Sequence, residues 1–204
     1  WHPPTGEGIR VDAGIASGDH VSPYYDAMVA KIIAWGETRA QARLRLLRAL
    51  HETALFGPTN NRDFLLDALQ HPTFAAGAAT TAFIGDAYPD GLPAYTPAPR
   101  DLAAAAVLHY AVAAEHSRGN AIAVPAELRN WSSTADLASV TRFHCAGEAF
   151  SVGIHPVASD VYQVDSGGTT YTVEVQALES HRCRMRVDGS TWQASHHVAA
   201  DGQC

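Results

Sequence analysis

From Phe143 onward, apolar and polar side chains alternate along the chain. Phe150, Val152 and Ile154 interleave with Ser151, Gly153 and His155. Tyr171, Val173, Val175 and Ala177 interleave with Thr172, Glu174 and Gln176, and Cys183, Met185 and Val187 with Arg182, Arg184 and Arg186. Successive side chains of an extended chain point to opposite faces, so the pattern predicts strands with one buried face. Turn sequences at Ala146-Gly147, Ser166-Gly167-Gly168 and Asp188-Gly189 separate them, the last being a strong hairpin signal. Upstream, Asp101 to Glu115 reads as helix but is apolar on nearly every side, from Leu102 through Val107, Leu108 and Tyr110 to Ala114. Such a helix of about 15–18 residues, with Gly119 as a suitable C′ residue, is expected to be wrapped by protein. The economical arrangement is an antiparallel β-barrel, or a curved sheet, around that long apolar helix.

The first half has mixed periodicity. Ile9 to Ile15 alternates, placing Arg10 and Asp12 opposite Ile9 and Val11, and Ser17-Gly18-Asp19 breaks the strand. Ala27 to Trp35 is nearly all apolar except Lys31, which predicts a strand covered on both faces and ended by Gly36. Thr38 and Gln41 have capping-box spacing. The helix they start carries a polar line at Gln41, Arg45, Arg48 and Glu52, with Ala40, Leu44, Leu46, Leu47 and Leu50 on the other side. A short strand near Ala54–Phe56, a turn at Gly57-Pro58 and a helix from Asn60 or Asn61 follow. That second helix should bury Phe64, Leu65, Ala68 and Leu69 before His71-Pro72 stops it. The order predicts an α+β fold with helices on one sheet face. Pro89, Pro93, Pro97 and Pro99 mark a linker between residues 1–92 and 93–204.

The 204 residues, 47% hydrophobic and 17% charged, describe a globular chain with room for a sizeable core. A formal charge of -7 argues against nucleic acid, whose phosphates need a Lys/Arg excess. Three cysteines without a C-x-x-C suit a reducing compartment. No apolar run reaches the roughly 20 residues that span a bilayer, so no membrane partner is expected. Trp1 and the Pro-rich lead read as a piece of a longer protein.

Several side chains tempt a chemical reading. Tyr24, Tyr25, Asp26 and Lys31 can form an acid/base set; the alternative, which we favour, is structural, with Asp26 and Lys31 satisfying buried polar groups near a site. His144-Cys145, His181-x-Cys183 and His196-His197 offer zinc-ligand types, but without a short chelating pair no metal is expected. The row Arg182, Arg184, Arg186 reads as a solvated strand face first and a docking patch second. Trp131, in the irregular stretch after the long helix, is a better docking candidate, since tryptophan is enriched at interface hot spots.

Gly8-Ile9-Arg10-Val11-Asp12, then Val21-Ser22-Pro23-Tyr24-Tyr25-Asp26-Ala27-Met28-Val29-Ala30-Lys31, resembles the C-terminal subdomain of biotin carboxylase. So do Trp35-Gly36, Thr38-Arg39, Gly57-Pro58-Thr59-Asn60, Phe64-Leu65, His71-Pro72-x-Phe74, Gly77 and Thr81-x-Phe83-Ile84. The remainder is similar, by pattern, to the subunit-docking domain of α subunits of methylcrotonyl-, propionyl- or geranyl-CoA carboxylases.

The resemblance implies a fold: the biotin carboxylase C-terminal subdomain, then an antiparallel β-barrel around a long helix that docks the carboxyltransferase β subunit. It implies that Arg10 is catalytic, stabilising the biotin enolate and helping to hold bicarbonate; an always-protonated guanidinium suits a developing anion. It implies that residues 120–137, with Trp131, form a hook to the β subunit. Biotin, ATP and Mg would serve the parent enzyme, while this stretch, lacking ATP-grasp motifs and the Met-Lys-Met of a biotin carrier, is expected to bind none of them and to be inactive alone. The parent is expected in the cytoplasm, or in the mitochondrial matrix of a eukaryote. The alternative reading is a stand-alone interaction module without catalysis; a ligand-binding barrel is a weaker third.

Overall fold

Chain contacts divide the protein into two compact units, Trp1–Pro93 and Ala94–Cys204. The structure, a computed structural model, describes residues 1–24, 26–92, 95–119, 125, 130, 138–145 and 147–198.

In the first unit, β1 (Ile9–Ala13) and β2 (Ala30–Ala34) form an antiparallel pair. Directly opposed residues share a face, so the register puts Ile9, Val11, Ala13, Ala30, Ile32 and Ala34 on one side. Arg10, Asp12, Lys31 and Ile33 occupy the other. Helix α1 (Arg39–Glu52) covers the first side, where Ile32 packs with Leu46, Leu47 and Leu50. The expectation that Ala27 to Trp35 is covered on both faces is corrected: the strand has five residues, helix on one side only, and Trp35 is 63% exposed.

Two glycines let these elements close. A Cβ on Gly8, at φ 71°, would lie 2.9 Å from the Trp35 carbonyl oxygen; one on Gly36 would lie 2.6 Å from the Ala42 amide. Thr38 Oγ1 accepts from the Gln41 amide at 3.2 Å, and Gln41 Oε1 accepts from the Glu37 amide at 2.7 Å, one residue before the usual capping-box donor. The helix is rotated from its expected orientation: Ala40 and Leu44 are exposed, whereas Gln41 and Arg45 are half-buried. The arginine stem explains this. Arg45 lies over the Trp35 ring and donates to the Trp35 carbonyl at 2.8 Å and to Glu7 at 3.1 Å, so an apolar shaft is buried and its charge satisfied.

The expected strand at Ala54–Phe56 is a single bridge between Ala54 and His2. Helix α2 (Arg62–Gln70) starts where Asn60 Oδ1 accepts from the Arg62 amide at 3.2 Å. It buries Leu66 and Leu69; Leu65, expected inside, is exposed because it lies about 100° round the helix from Leu66. Two further helices, α3 (Pro72–Ala75) and α4 (Phe83–Ala87), are too short to show a periodicity in sequence. Tyr88 follows them, donating to Asp67 at 2.7 Å; its pKa is pushed up to about 12 by desolvation and by that carboxylate.

The second unit holds α5 (Pro99–Gly119) and six strands: β3 (Ser139–Cys145), β4 (Glu148–Pro156), β5 (Val161–Ser166), β6 (Thr169–Leu178), β7 (Arg182–Val187) and β8 (Ser190–Ser195). The strands pair in sequence order, each antiparallel to the next, in a curled half-barrel sheet. Leu102, Ala103, Ala106, Val107 and Ala111 of α5 pack against Val152, Ile154, Tyr162, Val164, Val173 and Met185. At the helix start, Arg100 donates to the Val187 carbonyl at 2.7 Å and lies over the Trp192 ring. The turns behave as their sequences require, with φ of 57° and 78° at Gly167 and Gly168 and 45° and 81° at Asp188 and Gly189.

Of the two arrangements expected, a β-barrel or a curved sheet, the described residues form a curled half-barrel sheet. Among the described residues β3 pairs only with β4, and β8 only with β7. Arithmetic explains it: six strands about 4.8 Å apart span roughly 24 Å, against roughly 60 Å for a full circle about 10 Å from a helix axis. Beyond Val112 the helix emerges, and His116 to Gly119 are exposed. No described helix is long and apolar enough to cross a membrane.

Arg182, Arg184 and Arg186 lie on the exposed side of β7, and Arg186 Nε donates to its register partner Glu174 at 2.9 Å. Cys183 alternates with them into the core at 1% exposure, where burial pushes its thiol up to about 11. Iodoacetamide at pH 7.5 should therefore modify the half-exposed Cys145 in the native protein and reach Cys183 only on unfolding, as read by peptide mass mapping. Native labelling of Cys183 at the Cys145 rate would contradict this packing.

Candidate functional site

The face of β1–β2 that α1 does not cover carries the hairpin's charged residues. Arg10 and Asp12, two residues apart on one strand, project to the same side. Arg10 Nη2 donates to Asp12 Oδ2 at 3.2 Å, with the two side chains 70% and 53% exposed. Opposite them stand Ile33 and Lys31, and Lys31 is also exposed. Two cations and one carboxylate thus make a locally positive face on a chain of charge -7. A guanidinium held there by one nitrogen keeps its remaining donors for an anion.

Between the strands, residues 14–29 form an excursion whose neck is closed by the Gly14 amide donating to the Val29 carbonyl at 3.0 Å. Three of its large side chains are uncovered: Val21 is 38%, Tyr24 91% and Met28 62% exposed. Asp26 Oδ1 accepts from the Met28 amide at 3.1 Å, which is a local turn contact. Tyr25 lies outside the described residues. Asp26 and Lys31 are both exposed in this chain. Tyr24, Asp26 and Lys31 share no hydrogen bond or ion pair in the described structure.

Asp12 was not singled out from sequence. The strand alternation that placed it beside Arg10 was the available signal; what sequence could not supply was the side-chain contact.

The second unit has a groove of about 610 Å³ beside the exposed end of α5, lined by Val112, Glu115, Asp160, Val175, Leu178 and His196. His196 is 6% exposed and its buried Nδ1 has no hydrogen-bond partner. Burial lowers its pKa, with the charges of His181 and His197 adding to the effect. Among the described residues no group of three or more His, Cys, Asp or Glu gathers to hold a metal. Trp131 lies outside the described residues, as does most of 120–137. Its neighbour Asn130, at φ 61°, accepts from the Tyr110 hydroxyl at 3.0 Å and donates to the Ser159 carbonyl at 3.1 Å.

Residues 1–86 match the family model of the biotin carboxylase C-terminal domain. The whole Arg10 face lies inside that match. "Biotin carboxylase" of Halalkalibacterium halodurans is 47% identical over 81 residues, covering 40% of this chain and 18% of its own. "Propionyl-CoA carboxylase alpha chain" of Ruegeria pomeroyi is 40% identical over 111 residues, 52% of this chain and 16% of its own. "Methylcrotonoyl-CoA carboxylase subunit alpha, mitochondrial" of Glycine max is 39% identical over 92 residues, 45% of this chain and 12% of its own. The chain thus spans less than a fifth of the length of these relatives. Biotin carboxylase homology is confined to the first unit in the family match, while the Ruegeria pomeroyi alignment takes in more residues than the first unit contains.

His196 predicts an acid response of the second unit. An imidazole whose folded pKa is lowered makes the unfolded state the stronger proton binder, so stability is full above the ordinary value of 6.5 and falls as the pH drops below it. Urea unfolding at pH 7.5 and 5.5 should show this loss in the native sequence and a smaller one in His196→Gln. An equal loss in both proteins would count against the buried neutral imidazole.

Proposed function

We propose that this chain is part of the α subunit of a biotin-dependent acyl-CoA carboxylase. Its first unit supplies one wall of the site that carboxylates biotin, and its second unit docks the carboxyltransferase β subunit. The carrying observation is Arg10: an exposed guanidinium on the uncovered face of a hairpin, inside the biotin carboxylase match. The uncovered Val21, Tyr24 and Met28 on the adjoining excursion support the same reading, because exposed apolar side chains beside a charged face are what a site wall looks like without its neighbours. The α-subunit assignment over a free-standing biotin carboxylase draws on the Ruegeria pomeroyi relative, whose similarity exceeds the first unit.

In this reading Arg10 binds and orients an anionic reactant and holds the negative charge that grows during carboxyl transfer, without reorganising. Biotin supplies the acceptor that takes the carboxyl group and passes it on. The free donors of Arg10 fit an anion such as bicarbonate. Nucleotide and Mg are assigned to other parts of the enzyme, where the ATP-grasp motifs that the resemblance implies would lie.

Arg10→Ala in the enzyme that carries this segment should lower biotin carboxylation by about 10²–10³-fold, the scale for losing one preorganised charge donor. The unfolding midpoint should hold, since the side chain is 70% exposed. Near-normal turnover would refute the catalytic role and leave the scaffolding reading. Docking is checked separately by co-purification with the carboxyltransferase β subunit: deleting residues 93–204 should abolish capture, and capture that survives would remove docking from the second unit.

A further inference from the structure

The groove of the second unit lies where α5 leaves the sheet, and backbone bonds fix its walls. The Val175 amide donates to the Asp160 carbonyl at 2.8 Å, the Glu179 amide to the Arg182 carbonyl at 2.8 Å, and the His196 amide to the His181 carbonyl at 3.1 Å. The β4–β5 turn, the β6–β7 turn and the residue after β8 are thereby gathered round one space of about 610 Å³, within the range of ligand pockets. β6 is bulged at this point. Val175 opposes Met185 and Ala177 opposes Arg184, so Gln176, which lines the groove, is extra in the ladder. Bulges of this kind re-aim side chains beside sites.

The lining is apolar on one part and acidic on another. Val112, Val175, Leu178 and Val198 make the apolar part. Glu115, Asp160 and Glu179 set three carboxylates against the guanidinium of Arg118 and the imidazole of His116. Arg118 is itself paired with Glu115 at 2.6 Å, and the carbonyl end of α5 adds negative potential. His196 lines the same space at 6% exposure, and its buried Nδ1 lacks a hydrogen-bond partner. Burial favours the neutral ring, which can accept from a cation without repelling it. Such a lining rejects an anion by repulsion and a wholly apolar group by the cost of drying its carboxylates. It suits a cation on an apolar stem, the build of a long basic side chain.

We propose that this groove receives an arginine or lysine side chain of the protein that docks on the second unit. The stem lies on the valines and Leu178, and the cation lies among Asp160, Glu179 and His196. This rests on the reading of the second unit as a docking unit.

The probe is the blocked tripeptide acetyl-Leu-Arg-Leu-amide, titrated into the 204-residue chain while the ring nitrogens of His196 are followed by NMR. The control peptide carries citrulline, a neutral isostere of arginine. The arginine peptide should shift His196 saturably, and the citrulline peptide should bind at least about tenfold more weakly, since it lacks the charge. Glu179→Lys, at an exposed position, should weaken the arginine peptide by about tenfold and leave the unfolding midpoint unchanged. Equal binding of the two peptides, or no shift of His196, overturns the inference. In the whole enzyme, Glu179→Lys should weaken capture of the carboxyltransferase β subunit by a similar factor. Capture that survives deletion of residues 93–204 overturns the docking reading instead; capture lost on deletion but unchanged by Glu179→Lys overturns only this inference.

Discussion

Helix α1 covers one face of the β1–β2 hairpin and leaves the other to solvent, and the placing of Arg10, Asp12 and Lys31 follows from that one-sided contact. Ile32 and the leucines of α1 tie the covered face down, and Gly8 and Gly36 permit the close approach that larger residues would block. With a period of two along the strand, every residue not drawn toward α1 must point away. The charged row is thus a consequence of packing on the reverse side. Burying Arg10 or Lys31 without partners would cost far more than leaving them wet, so the same arrangement is also the cheaper one electrostatically.

The second unit solves a different packing problem. An alanine-rich helix offers a smooth, narrow surface, and strands can approach it closely on several sides at once. Val152, Ile154, Tyr162, Val164, Val173 and Met185 fill the concave side of the sheet, while polar residues and the arginine row stay outside. The helix is buried only as far as the sheet reaches, which is why its last two turns carry Glu115, His116 and Arg118. The two units therefore offer distinct surfaces: a charged hairpin face in one, and an open sheet with a projecting helix end in the other.

Where local pattern and burial agreed, sequence was a reliable guide. Strand alternation from Phe150 to Val187, the glycine turns and the Thr38 cap all needed only nearest-neighbour physics. Failures fell where a side chain's fate depends on distant partners. Arg45 left the expected polar line because Trp35 and Glu7 lay within its reach. Leu65, expected inside, lies outside because helix phase is set by what the helix meets.

By itself the sequence determined which residues alternate, which turns are possible and which stretch carries the biotin carboxylase pattern, because these depend on backbone geometry and spacing of a few residues. Tertiary structure alone decided that the described strands around α5 form an open sheet, since closure depends on how many strands fit around a helix. It alone brought Lys31 opposite Asp12, through a register between positions 19 residues apart. It alone left Arg10 exposed yet held, because a guanidinium's partners are set by three-dimensional proximity and its exposure by the helix packed behind it.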